Sequence, residues 1–481
     1  MACGGLGEGF VLAVMRSDDN QSSVWGWGEN LFGQLAQQKR LYTTCAEPRL
    51  VHSHNADQHT RGAGITMVAG GDRHCCVVLD DGRAFHWGDV IHDTINTRKE
   101  DADKAFQFSI PEEGGPASTV QGDTQQPVPP PHAVMAACGN RHQLVLTASG
   151  CVYSYGQYDT GALGLGYQDM VRQMPARVTA GGLARAVVVM VAAGTGHSVA
   201  LDDRGGVWTW GDPARGALGH GPEAPVSYCN TRTYTHSLTT PRRLADAVLA
   251  QVVMVSAGGA CSAAVHADGS LWMWGRGSCG VLGLGDTADR STPTRLDPAL
   301  FSEDAAGVGL VRTVACSGMH TLVVAQDGTL WAFGCGLMGE LGGGEETCIA
   351  GSLSPLRVEF FDHADARPNT RAAVVSVAAG ASRSVAVTAN GRIYVWGGHE
   401  VKKRPCLVHA LAHMHAGPYQ GLAPLLALAF AAGTHQRLGE GSHCHVSTMP
   451  ADLLRRLCEM VVSLEGPAGR SEGIKRLVGA T

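Results

Sequence analysis

The chain has 481 residues, of which 64 are Gly, 44% are hydrophobic and 17% are charged. Gly stands near twice its usual ~7% share, and each interior helix Gly costs ~1 kcal/mol relative to Ala, which argues against a mostly helical protein. The balance of 37 Lys and Arg against 43 Asp and Glu, a net charge of −6, argues against electrostatic capture of nucleic acid.

The N-terminus, Met1-Ala2-Cys3-Gly4-Gly5, has neither a positive n-region nor a long apolar stretch, so no secretory leader is expected. Fifteen scattered Cys then read as small buried hydrophobes in a reducing compartment. The expected location is cytoplasmic, with the nucleus as the alternative. Gly7-Glu8-Gly9-Phe10 followed by Val11 to Val14 reads as a truncated repeat opening.

From there one phrase recurs seven times: two aromatics separated by one residue, then Gly. It reads Trp25-Gly26-Trp27-Gly28, Phe85-His86-Trp87-Gly88, Tyr153-Ser154-Tyr155-Gly156 and Trp208-Thr209-Trp210-Gly211. It continues as Trp272-Met273-Trp274-Gly275, Trp331-Ala332-Phe333-Gly334 and Tyr394-Val395-Trp396-Gly397. All nine Trp of the chain fall inside these phrases. Six copies carry a Gly three residues before the first aromatic, and Asp81-Gly82, Asp268-Gly269, Asp327-Gly328 and Asn390-Gly391 are tight-turn dipeptides. An apolar run precedes each turn, as in Leu322-Val323-Val324-Ala325, so each unit predicts a β-hairpin.

Before that run stands a small-residue phrase ending in His74, His142, His197 or His320, replaced in other copies by Cys261, Arg383 and Gln436. No nucleophile or carboxylate accompanies it at fixed spacing, so the histidine is read as structural and not catalytic. After five phrases comes Gly-x-x-x-x-Gly-x-Leu, as in Gly156 to Leu163 and Gly211 to Leu218. A repeat of four short strands cannot bury both faces alone, and radial stacking of seven such sheets gives a propeller. The expected fold class is therefore all-β, a seven-bladed β-propeller over 7–437 with a short C-terminal helical extension over 448–481.

Insertions break the period at 89–133, 222–245, 343–372 and 398–424. The first holds Pro127-Val128-Pro129-Pro130-Pro131, read as a spacer of polyproline character. Pro450 to Leu464 places Leu453, Leu454, Leu457, Val461 and Leu464 on one face, an amphipathic helix stopped by Gly466-Pro467. His409, His413, His415 and His443-Cys444-His445 lack the paired spacings of a zinc site and read as a surface cluster. Lys402-Lys403-Arg404-Pro405 is too short to be trusted as a nuclear localisation element. No catalytic, cofactor-binding or metal residue is expected.

With these motifs the chain resembles the regulator of chromosome condensation family, whose seven blades run to about 60 residues, against ~40–45 for WD40 and ~50 for kelch repeats. The resemblance implies ring closure by strand exchange, with a segment beginning at Gly433-Thr434-His435-Gln436 completing the N-terminal blade. It implies a protein-interaction scaffold as the leading function, with guanine-nucleotide exchange on a Ran-like small GTPase as the alternative. A plant UV-B photoreceptor shares this fold and carries extra tryptophans before each His; here those positions hold Asp72-Arg73, Asn140-Arg141 and other non-aromatic pairs, which excludes that reading. Protein partners are expected, with no nucleic acid, no membrane span and a monomeric state.

Overall fold

The computed structural model describes residues 2–4, 9–16, 22–30, 34–35, 44–53, 63–89, 106–107, 131–157, 160–166, 171–222, 237–245, 249–302, 309–344, 351–362, 372–398 and 406–407. They form seven four-stranded antiparallel sheets, each built from strands consecutive in the chain. Blade one runs Ala2–Ser53, two Ile65–Gln107, three Ala133–Arg177, four Val188–Arg243, five Val252–Arg295, six Val311–Arg357 and seven Val374–Leu407. The seven-bladed propeller read from the sequence is the fold.

Blade four shows how the residues make the sheet. Its inner strand Val188–Ala193, second strand His197–Asp202, third strand Val207–Gly211 and outer strand Leu238–Arg243 pair in that order. The second strands His74–Leu79, His142–Thr147, His197–Asp202 and His320–Ala325 are buried at every residue. A strand covered on both faces by neighbouring blades reads as a continuous apolar run, without alternation. The hairpin turn beyond it needs a left-handed residue, supplied by Gly205 at φ 78° and Gly269 at φ 81°.

Outer strands follow a rule of their own. In blades one, three, four, five and six a bulge interrupts pairing opposite the aromatic phrase, between Thr209 and Gly211 in blade four. The bulge ends on Pro48, Pro175, Pro241, Pro293 or Pro355. Proline cannot donate to a ladder, so it is accepted on an edge strand or in a bulge, and this position is both.

Closure differs from the expected strand exchange. The inner strand of blade one is Ala2–Gly4, pairing as Ala2 with Leu12, Cys3 with Val11 and Gly4 with Phe10. Ala2-Cys3-Gly4 has the small-residue character of other inner-strand ends such as Ala192-Ala193-Gly194, which suits the crowded centre of the ring. Blades seven and one then meet through side chains, with Val385, Ile393 and Val395 packed against Val11, Ala13, Met15 and Trp27. Gly433–Gln436 and the helix read at 450–464 lie outside the described residues. Among the described residues the only helical turns are five short 3-10 segments.

Candidate functional site

The repeated polar residues are consumed between blades. The turn Gly156 to Leu163 of blade three presents the Ala162 carbonyl to blade four, where Trp210 Nε1 donates to it at 2.7 Å and Ser198 Oγ at 2.8 Å. The Ala217 carbonyl of blade four accepts from Trp274 Nε1 and Ser262 Oγ of blade five, each at 2.9 Å. The Glu340 carbonyl of blade six accepts from Trp396 Nε1 at 2.6 Å and Ser384 Oγ at 2.7 Å. In blade one the Gln34 carbonyl accepts from Trp87 Nε1 at 2.8 Å and the Cys75 thiol at 3.1 Å. The approach is close enough that a Cβ on Gly164, just past the turn, would lie 2.7 Å from Trp210 Nε1. The glycine turn is thus a clamp that holds the next blade.

The recurring histidines complete each clamp. Nε2 of His142 lies 3.0 Å from Ser198 Oγ, Nε2 of His197 lies 2.9 Å from Ser262 Oγ and Nε2 of His320 lies 2.8 Å from Ser384 Oγ. Each hydroxyl proton goes to the turn carbonyl, so the serine oxygen accepts from the imidazole Nε2–H and the ring is neutral. Burial, reinforced by the His197 ring beside it, lowers the His142 pKa to about 3, and burial lowers His320 to about 3 and His197 to about 4. These rings bond neighbouring blades to one another. Ser262→Ala is expected to cost ~1–3 kcal/mol, because it removes one hydrogen bond and strands the buried His197 Nε2–H. Thermal unfolding checks it, and a wild-type midpoint would contradict the clamp.

The junction between blades two and three departs from this plan. Blade two lacks the Gly-x-x-x-x-Gly-x-Leu sequence after its aromatic phrase, and blade three carries Gln143 and Tyr155 where blade four carries Ser198 and Trp210. His74 of blade two and Gln143 of blade three are both fully buried, and no hydrogen bond joins them. The missing turn carbonyl and the changed donor side chains occur at the same junction.

The loops divide between two faces. On one, the hairpin-turn carboxylates cap their own backbone: Asp81 accepts from Arg83 N at 3.0 Å, Asp268 from Ser270 N at 2.8 Å and Asp327 from Thr329 N at 2.9 Å. Asp202 accepts from Trp208 Nε1 at 2.9 Å and lies 3.5 Å from Arg243 Nε. On the other face lie the loops before each second strand, where Asp72-Arg73, Asn140-Arg141 and Gly318-Met319 stand at the blade mouths. Burial raises the Asp72 pKa to about 6, partly offset by the Arg73 charge. Arg141 donates to the Gln157 side chain at 2.9 Å.

Phe106–Gln107 pairs with Phe85 and His86 as the outer strand of blade two. Phe106–Gln107 therefore divides the 89–133 insertion into two segments, one attached at each end of the strand. The other three insertions also contain outer strands: Leu238–Arg243, Ser352–Arg357 and Cys406–Leu407. Sequence reasoning missed these strands because they are short and bulged. A signal was present in the repeated Pro-x-Arg of Pro175-Ala176-Arg177, Pro241-Arg242-Arg243, Pro293-Thr294-Arg295 and Pro355-Leu356-Arg357. His409, His413, His415, His443, Cys444, His445 and Lys402-Lys403-Arg404-Pro405 lie outside the described residues. Among the described residues no group of three His, Cys, Asp or Glu side chains is placed to hold a metal, and no helix is long and apolar enough to cross a membrane.

The regulator of chromosome condensation (RCC1) repeat matches residues 21–78, 149–201, 204–265 and 268–324, and a second form of it matches 188–217 and 374–400, together over half of the chain. The ultraviolet-B receptor UVR8 of Arabidopsis thaliana is 30% identical over 266 residues, 55% of this chain and 53% of that receptor. The human E3 ubiquitin-protein ligase HERC2 is 33% identical over 264 residues, 54% of this chain but 5% of the ligase. The match thus takes in about half of the receptor and a small part of the ligase. The crystal structure of human WBSCR16 superposes with a TM-score of 0.63 at 24% identity, covering 81% of this chain and 87% of that one. Yeast RCC1 (Prp20), solved with Kap60 bound, gives 0.61 at 22% identity, covering 83% and 84%. Both structural likenesses show the propeller fold.

Proposed function

Because this chain belongs to the regulator of chromosome condensation (RCC1) repeat family, we propose that it is a protein-interaction scaffold whose partners bind the loops between its strands and blades. The carrying observation is that the repeated Trp, Ser and His side chains are committed to the clamps between blades. What remains for recognition is the variable loops on a rigid ring, the usual place for binding residues. The chain has no Gly-x-x-x-x-Gly-Lys-Ser/Thr phosphate loop, so nucleotide hydrolysis is not proposed. The proposal includes a monomer acting in the cytoplasm, with the nucleus as the alternative location.

Guanine-nucleotide exchange on a Ran-like small GTPase is the competing role within the family. One relative's solved structure describes binding to Gsp1p and histones, a property of that yeast protein. The two roles separate in one experiment. Variants lacking 90–104 or 109–130, the segments on either side of Phe106–Gln107, are compared with wild type in pull-downs and in nucleotide-release assays on a Ran-like GTPase. A scaffold loses a defined partner with one loop while melting as wild type, and release stays at background. Release accelerated by substoichiometric protein, with tight binding to the nucleotide-free GTPase, would replace the scaffold reading with exchange, since an exchange factor favours that state.

A further inference from the structure

The junction between blades five and six lacks two of the bonds that clamp its neighbours. Phe333 replaces the indole donor, so the Val281 carbonyl accepts only from Thr321 Oγ1, at 2.9 Å. Cys261 replaces the histidine, and its thiol turns to the Gly258 and Ser317 carbonyls at 3.1 and 3.4 Å. The same junction carries a pair of thiols, one exposed and one buried. Cys279, exposed at φ 60°, sits in the turn Ser278–Gly280 of blade five. Cys335, 5% exposed, directly follows Gly334 at the end of a blade-six strand.

The backbone brings the two together. A Cβ on Gly280 would lie 2.8 Å from the Ser352 carbonyl oxygen and 2.7 Å from Leu353 Cα. Ser352 is the register partner of Gly334, and a Cβ on Gly351 would lie 3.4 Å from Cys335 Cα. Both cysteines therefore flank the same outer-strand backbone, one from each blade. The Cys279 thiol is close enough to act on the Cys335 thiol electrostatically, and both are free cysteines.

We propose that Cys279 and Cys335 are a peroxide-sensitive dithiol whose reversible disulfide staples blade five to blade six. The exposed Cys279 sulfur attacks one oxygen of hydrogen peroxide, the O–O bond breaks, and sulfenic acid forms with release of one water. The Cys335 sulfur then attacks the Cys279 sulfur. The S–S bond forms, the S–O bond breaks, and the departing hydroxide leaves with the Cys335 proton as a second water. Two thiols lose two electrons and one peroxide gains them. Burial pushes the Cys335 thiol pKa up, which keeps it protonated and slow toward peroxide, the character of a resolving partner. A dithiol reductant returns both thiols by exchange. The closed bridge constrains the unfolded chain between residues 279 and 335, so oxidation raises the melting temperature.

The test treats reduced full-length protein with hydrogen peroxide, blocks remaining thiols with N-ethylmaleimide and maps peptides without reduction. The expected result is a peptide joined through Cys279 and Cys335, with both thiols lost to alkylation together. Melting temperature rises on oxidation and returns with dithiothreitol. Cys279→Ser, a surface change, abolishes the joined peptide and the shift; Cys335→Ser leaves Cys279 to go on to sulfinic acid. Recovery of wild-type Cys279 as sulfinic acid, or joined to any other cysteine, with Cys335 fully alkylated, would overturn the proposal.

Discussion

Acidification from pH 7 to pH 4 is expected to unfold the protein cooperatively, because five buried histidines must charge when the chain opens. Burial holds the folded pKa of His74, His142 and His320 at about 3 and of His86 and His197 at about 4. The unfolded chain titrates near 6.5, so below that pH it binds more protons than the folded ring. Each histidine's contribution is complete above pH 6.5 and is lost, at up to ~1.4 kcal/mol per pH unit, as pH falls toward its folded pKa. Asp72, raised to about 6, and Glu340, also raised by burial, act in the opposite sense by taking protons in the folded state. His220, lowered to about 4 by partial burial and the Arg242 charge, adds to the five, and six histidines against two carboxyls leave a net loss that a total stability of ~5–15 kcal/mol does not survive. Melting temperatures at pH 7.5, 6, 5 and 4.5 check this. A curve flat between pH 7 and 5 would mean that the rings are not buried and neutral.

Trp210→Ala and Trp274→Ala are expected to lose ~3–5 kcal/mol each, the range for emptying a fully buried aromatic site. Both indoles are completely buried and donate to the Ala162 and Ala217 carbonyls. Trp210→Phe separates volume from hydrogen bond, since Phe333 already fills the same position in blade six. That variant should lose ~0.5–1.5 kcal/mol for the bond plus a smaller packing term. Trp272, half-buried and donating to Ser270 at 3.2 Å, should cost least of the indoles compared here. Denaturant unfolding of the four variants checks the order. Equal midpoints for Trp210→Ala and wild type would reassign the indole to partner binding.

Much of the fold is carried by local chemistry and is legible in the sequence. The Asp-Gly and Asn-Gly turns, the apolar runs and the paired aromatics each specify a hairpin within about fifteen residues, and repetition specifies seven stacked sheets. The bonding role of the recurring histidine is legible in part, because it returns at one blade position with no companion at fixed spacing. The outer strands were less legible: a strand of Leu238-Thr239-Thr240-Pro241-Arg242-Arg243 has no apolar alternation, and its place is set by bulged pairing to the aromatic strand. The clamps were hidden for a different reason. Their acceptors are backbone carbonyls of Gln34, Ala162, Ala217, Val281 and Glu340, and a backbone group leaves no mark on residue identity.

Which residues meet across blades, and how the ring closes, only the tertiary structure decided. Ser198, His142 and Ala162 come from three separated stretches of two blades, and stacking alone brings them within hydrogen-bonding distance. Ala2–Gly4 looks like any short Gly-rich segment until it pairs with Phe10–Leu12 as the inner strand of blade one. The sequence by itself determined the repeat, because each hairpin is stabilised by its own neighbours in the chain. The junctions belong to the ring, because their partners lie 36 to 65 residues apart and meet only after it has formed.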